Sequence, residues 1–89
     1  MAKEDKKQNH ITVTVVVSGE DVSVSVNTHE KVAVLVHKSL EESGNEGQPI
    51  ENWVLKSDTS PIDFELRISE SGITDGMKLY LNPKAGEGG

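Results

Sequence analysis

Two short runs of β-branched residues, set close together, constrain this chain more than any other feature. Residues 11–17 read ITVTVVV and residues 22–26 read VSVSV, with Ser18-Gly19-Glu20-Asp21 between them. In an extended chain, successive side chains point to opposite faces. Ile11, Val13, Val15 and Val17 therefore share one face of the first run, and Thr12 and Thr14 the other. Val22, Val24 and Val26 share one face of the second run, opposite Ser23 and Ser25. The intervening residues have turn chemistry, so the pair predicts an antiparallel hairpin. It has one apolar face, and a further element must cover that face.

The covering element is expected directly downstream. Asn27 or Thr28 can cap a helix, and Glu30, three residues after Asn27, completes a pattern like a capping box. Val32, Leu35, Val36 and Leu40 recur at helical spacing, and Gly44 is placed to end the helix in a left-handed conformation. Val32, Val34 and Val36 also alternate as a strand would, and β-branched residues are poor helix formers. Length and the KSLEESG segment decide for a helix from about Thr28 to Ser43.

Beyond a loop at 45–51, Asn52 to Lys56 predicts a third strand, with Trp53 and Leu55 on one face and Val54 on the other. Residues 57–61 form a turn, and Ile62 to Leu66 alternate as a short strand or edge segment. Ser69 to Gly72 predicts a turn or 3₁₀ segment, and Thr74-Asp75-Gly76 is a strong turn signal. Met77 to Leu81 predicts the final strand, stopped by Pro83, which cannot donate to a ladder. The expected architecture is α+β: a mixed sheet of four to five strands crossed by one helix, a β-grasp. The first and last strands pair in parallel, because a helical crossover separates them.

The chain has 89 residues, enough for one domain. The expected organisation is a disordered leader at 1–9, a domain at 10–82 and a flexible tail at 83–89. Fifteen acidic and nine basic residues, of which Arg67 is the one arginine, give a net charge of −6. That balance argues against nucleic acid and fits a protein that meets basic protein surfaces. There is no cysteine, so disulfides, thiolate metal sites and a thiol nucleophile are excluded. Met1 to His10 is polar, without the apolar core of a secretory signal. No apolar run reaches the ~20 residues of a membrane helix. The expectation is a cytoplasmic protein, monomeric when free.

No constellation suggests an enzyme. His10, His29 and His37 lack metal-ligand spacing, since His29 and His37 lie two helical turns apart. No serine sits in a nucleophile elbow. Gly44-Asn45-Glu46-Gly47 lacks the lysine and helix start of a phosphate loop. No bound cofactor or metal is expected.

The tail carries the chemistry. Asn82-Pro83-Lys84-Ala85-Gly86-Glu87-Gly88-Gly89 could extend roughly 25 Å beyond the sheet. Without Cβ atoms, Gly88-Gly89 can thread a narrow channel and present a carboxylate at close range. A carboxylate becomes an electrophile once adenylated, and a partner thiolate can then take the acyl group as a thioester. A glycine-rich end is also what an incidental flexible terminus looks like.

Taken together, the ITVTVVVSGEDVSVSV hairpin, the helix, the ISESGITDGMKLYL segment and the Gly88-Gly89 end resemble the ubiquitin-like family over residues 10–89. The style is most similar to bacterial ubiquitin-like modifiers that occur with their own activating, conjugating and JAB-type peptidase enzymes. The resemblance implies an E1-like enzyme that consumes ATP, an E2-like carrier, a deconjugating peptidase and a target protein amine. It implies conjugation through Gly88 and Gly89, with Lys84, Gly86 and Glu87 read by the activating enzyme. It also implies a partner-binding sheet surface at Val54, Lys56, Lys78 and Tyr80. Each of these four could instead be incidental surface or edge of the core. Ubiquitin's tail is basic, whereas here one Lys84 is joined by an acidic Glu87, which points to dedicated enzymes. Eight lysines are available for chain formation. Two other readings remain open: a sulfur carrier that forms a C-terminal thiocarboxylate, and a noncovalent ubiquitin-like interaction domain.

Overall fold

The computed structural model describes residues 9–45, 47–58 and 60–84. The hairpin forms as its alternation requires. Strand β1, His10–Val17, pairs antiparallel with β2, Glu20–Asn27, and Val13 lies opposite Val24. Ser18 and Gly19 form the whole turn, with φ of 49° and 93°. Positive φ at both central positions is the type I′ requirement, and its twist matches that of the flanking strands.

The helix α1, Val32–Glu42, covers the apolar face, burying Val32, Leu35, Val36, Ser39 and Leu40. This 3,4-spaced set resolves the helix-or-strand ambiguity of the valines. The helix ends where expected. Gly44 has φ of 82°, its N–H donates to Glu41 O at 3.2 Å, and the Asn45 N–H donates to Leu40 O at 2.7 Å. This is the Schellman arrangement.

The start of α1 differs from the expectation. Asn27 Oδ1 accepts from the His29 N–H at 2.9 Å, and Glu30 Oε1 accepts from the Asn27 N–H at 3.2 Å. The motif folds a turn that precedes the helix. The first helical N–H groups are satisfied from far along the chain: Val32 N–H donates to Leu66 O and Ala33 N–H to Phe64 O.

Residues 62–66, expected as a strand, are the segment that supplies these acceptors. Pro61 makes an isolated bridge to Lys56, after which the backbone turns. Asp63 Oδ1 accepts from the Glu65 N–H at 2.9 Å, a local bond that competes with a ladder. Ile62 and Phe64 remain half-buried against the core.

A 3₁₀ turn, Ile50–Asn52, leads into β3, Trp53–Lys56. A four-residue helix, α2, Ile68–Ser71, replaces the expected turn or 3₁₀ segment and ends on Gly72 at φ 86°. Strand β4 is Lys78–Pro83, longer than the expected Met77–Leu81. Pro83 lies opposite Trp53 and does not end the contact, since Lys84 N–H still donates to Asn52 O at 2.9 Å. The Leu81 carbonyl points toward β1, accepting from Ser18 N–H. Pro83, two residues on, has its nitrogen on that same side, where β1 has already turned away. Its missing donor therefore costs no ladder bond.

The sheet order is β2-β1-β4-β3, four strands with β1 and β4 parallel. The core joins the inward valines of the hairpin, the apolar stripe of α1, Trp53, Leu55, Ile68, Ile73, Leu79 and Leu81. The expected leader and the residues from Ala85 onward lie outside the described residues, apart from Asn9 at the leader's end.

Candidate functional site

The face of the sheet away from α1 carries the residues left over by the alternation. On β4, Leu79 and Leu81 point to the core, so Lys78, Tyr80 and Asn82 point out. On β3, Trp53 and Leu55 are buried and Val54 and Lys56 point out. The strand pairings bring these side chains together. Lys56 is opposite Tyr80, Tyr80 is opposite Val16 of β1, and Val16 is opposite Asp21 of β2. One row therefore crosses the whole sheet. Lys78 lies in the adjacent row, opposite Thr14, and Val54 is opposite Asn82, diagonal to Tyr80.

Tyr80, Val54 and Val16 are half-buried, whereas Lys56 and Lys78 are exposed. The result is a small apolar centre with ammonium groups on two sides and a carboxylate at the far end of one row. Diagonal neighbours on a sheet face lie within reach of an aromatic side chain. A tyrosine at such a centre offers apolar area and a polar tip. The structure thus brings together Val54, Lys56, Lys78 and Tyr80, and it adds Val16. The signal for Val16 was visible in ITVTVVV, where the alternation breaks and places a valine among threonines on the outward face.

The turn at Thr74–Gly76 holds β4 in this register. Asp75 Oδ1 accepts from Thr12 N–H at 2.8 Å, and Gly76 N–H donates to Thr12 O at 2.8 Å. Thr12 Oγ1 and Ser25 Oγ lie 2.9 Å apart across β1 and β2.

Lys84 sits beside β3, its N–H bonded to Asn52 O and its side chain exposed. Chain direction at the exit from the sheet is therefore set by the backbone pairing of β3 with β4. Gly86, Glu87, Gly88 and Gly89 lie outside the described residues. Among the described residues, no group of three or more His, Asp or Glu side chains is arranged to hold a metal ion. No helix among them is long and apolar enough to cross a membrane.

A four-stranded mixed sheet in this order, crossed by one main helix, is the ubiquitin-like β-grasp. The chain is thus a ubiquitin-like protein in the general sense. It belongs to the family described as Protein of Unknown function (DUF2604), which matches residues 6–89. It is 34% identical over 97 aligned positions to the Uncharacterized protein y4jI of Sinorhizobium fredii (strain NBRC 101917 / NGR234). That match covers 100% of this chain and 75% of the relative. Among solved structures, a de novo design based on ubiquitin superposes with a TM-score of 0.75 at 20% identity, covering 91% of this chain and 96% of the design. The ubiquitin-like domain of an Arabidopsis thaliana protein gives a TM-score of 0.69 at 26% identity, covering 86% of this chain and 80% of that domain.

Proposed function

We propose that this chain is a ubiquitin-like protein modifier that acts as an acyl donor through the carboxylate of Gly89. That carboxylate is presented at a chain end or released there by a processing peptidase. The observation that carries the reading is the placement of Gly88-Gly89 a few residues beyond the last strand of a ubiquitin-like β-grasp. Bare glycines let the chain enter a narrow catalytic channel while the folded domain stays outside it.

The chemistry is supplied by other chains. The Gly89 carboxylate attacks the α-phosphorus of ATP held by an E1-like enzyme, releasing pyrophosphate and leaving an acyl adenylate. A partner cysteine thiolate displaces AMP to give a thioester. A target amine displaces that thiolate, by way of an E2-like carrier, and an amide remains. The outward face around Tyr80, with Val54, Lys56 and Lys78, suits recognition by these partners. Lys84, Gly86 and Glu87 are the tail positions an activating enzyme would read. A JAB-type or other peptidase would reverse the linkage.

The test is proteomic. Trypsin cleaves after Lys84, so a conjugated target lysine retains the remnant Ala85-Gly86-Glu87-Gly88-Gly89. Such remnants are expected in cells expressing the chain and are lost on deleting Gly88 and Gly89. Adducts that persist in the deletion variant would sink the proposal. Sulfur replacing one terminal oxygen in the intact mass, without any remnant, would assign the chain as a sulfur carrier instead. Partner binding that survives loss of residues 83–89, again without remnants, would leave a noncovalent interaction domain.

A further inference from the structure

Strand β3 is an edge of the sheet, and a groove of about 350 Å³ runs beside it. Its floor is apolar, with Trp53 and Val54 from the strand and Ile62 and Phe64 from the segment that caps α1. Ile62 and Phe64 are only half-buried, so the core stops short of covering them. Its rim is acidic. Glu51, Asp63 and Glu65 line the groove, against one cation, Lys84. All three carboxylates are on exposed residues. Lys31 Nζ lies 3.3 Å from Glu65 Oε1, with the two side chains 59% and 79% exposed. So exposed a pair contributes little and can exchange for another cation. Among the described residues, no cation lies within ion-pair distance of Glu51 or Asp63.

We propose that this groove docks a short extended segment of a partner protein, with apolar side chains set between lysines or arginines. The apolar floor selects apolar side chains, which gain by leaving water. The carboxylates select cations, and the chain's net charge of −6 steers them in at long range. The same charge repels phosphate-bearing surfaces, whether nucleic acid or anionic lipid. The groove shares Val54 with the outward face and Lys84 with the start of the tail, but docking here needs neither Tyr80 nor the Gly89 carboxylate, so it does not depend on conjugation.

Trp53 is the one tryptophan in the chain and sits in the groove, so its emission reports occupancy. The probes are a blocked peptide, Lys-Val-Leu-Lys-Val-Lys, and its counterpart with glutamate for each lysine. Titrating the lysine peptide is expected to change Trp53 emission saturably and to shift the amide resonances of Trp53, Leu55 and residues 62–65. The glutamate peptide is expected to do neither. The Glu51→Gln/Asp63→Asn double variant should bind the lysine peptide about three- to tenfold more weakly, the range for two exposed ion pairs. A Glu51→Lys/Asp63→Lys variant, with its fold checked by circular dichroism, should turn the preference toward the glutamate peptide. Equal binding of both peptides, or no saturable change with either, would overturn the proposal. So would shifts centred on Val16 and Tyr80.

Discussion

Ile68 is completely buried although it opens a helix of only four residues. Its neighbours hold it there through the backbone. Ile68 N–H donates to Glu30 O at 2.8 Å, Ser69 N–H donates to Thr28 O at 3.0 Å, and Glu70 Oε1 accepts from Arg67 N–H at 3.0 Å. Together with the Val32 and Ala33 bonds to Leu66 and Phe64, these backbone bonds fasten residues 64–69 to the start of α1 and the turn before it. An Ile68→Ala substitution should cost about 2–4 kcal/mol, lost burial plus a cavity, measured by urea unfolding. That is a large share of the stability of a small domain. Ser39 shows the opposite case. It is fully buried, but its hydroxyl donates to Leu35 O at 2.7 Å, so no polar atom is stranded. Of the two, only Ser39 lay in a segment whose periodicity announced a buried stripe. Ile68 has polar neighbours on both sides, and nothing local marks it as core.

Among the elements, the β1–β2 hairpin was the most legible. Alternation assigned each face, and the residues between the strands forced a tight turn. The turn also contains a compromise, because Ser18 adopts φ of 49°, where a Cβ is disfavoured. Asn tolerates that region better, and Asn-Gly is the preferred type I′ pair. Ser18→Asn should therefore raise stability by about 0.5 kcal/mol, whereas Ser18→Val should lower it by more than about 1 kcal/mol. Thermal unfolding of the two variants beside the parent checks both signs. The helix α1 was legible in its type and its end, but not in its beginning. Asn27 and Glu30 form the bonds a capping pattern promises, yet these close a turn. The acceptors that satisfy Val32 and Ala33 come from Phe64 and Leu66, more than thirty positions away, and no local pattern can announce them. The same bonds explain why residues 62–66 do not form a strand despite their alternation.

At the scale of the whole molecule, the core found among the described residues lies between Ile11 and Leu81. Removing residues 85–89 should therefore leave the midpoint of urea unfolding unchanged within error, while abolishing the tryptic remnant described above. A large fall in the midpoint would mean that these residues stabilise the fold, contrary to the separation of domain and tail proposed here. The outward face was partly legible, because alternation alone places Val54, Lys56, Lys78 and Tyr80 opposite their buried neighbours. That these residues form one patch, and that Val16 completes it, depends on β4 lying between β1 and β3. The β3-edge groove was not legible, since it joins residues near 53 to residues near 63 across a turn whose path is set by the cap of α1. Local patterning alone, then, assigned the inward side chains of the hairpin, of α1 and of β3 and β4, and it located the hairpin turn and the end of α1. Those features follow from periods of two and 3.6 residues and from glycine's access to positive φ. Where α1 begins, what residues 62–66 do and which outward residues are neighbours were settled by packing between distant segments. Each of those rests on hydrogen bonds or pairings between segments far apart in sequence, which local patterning does not encode.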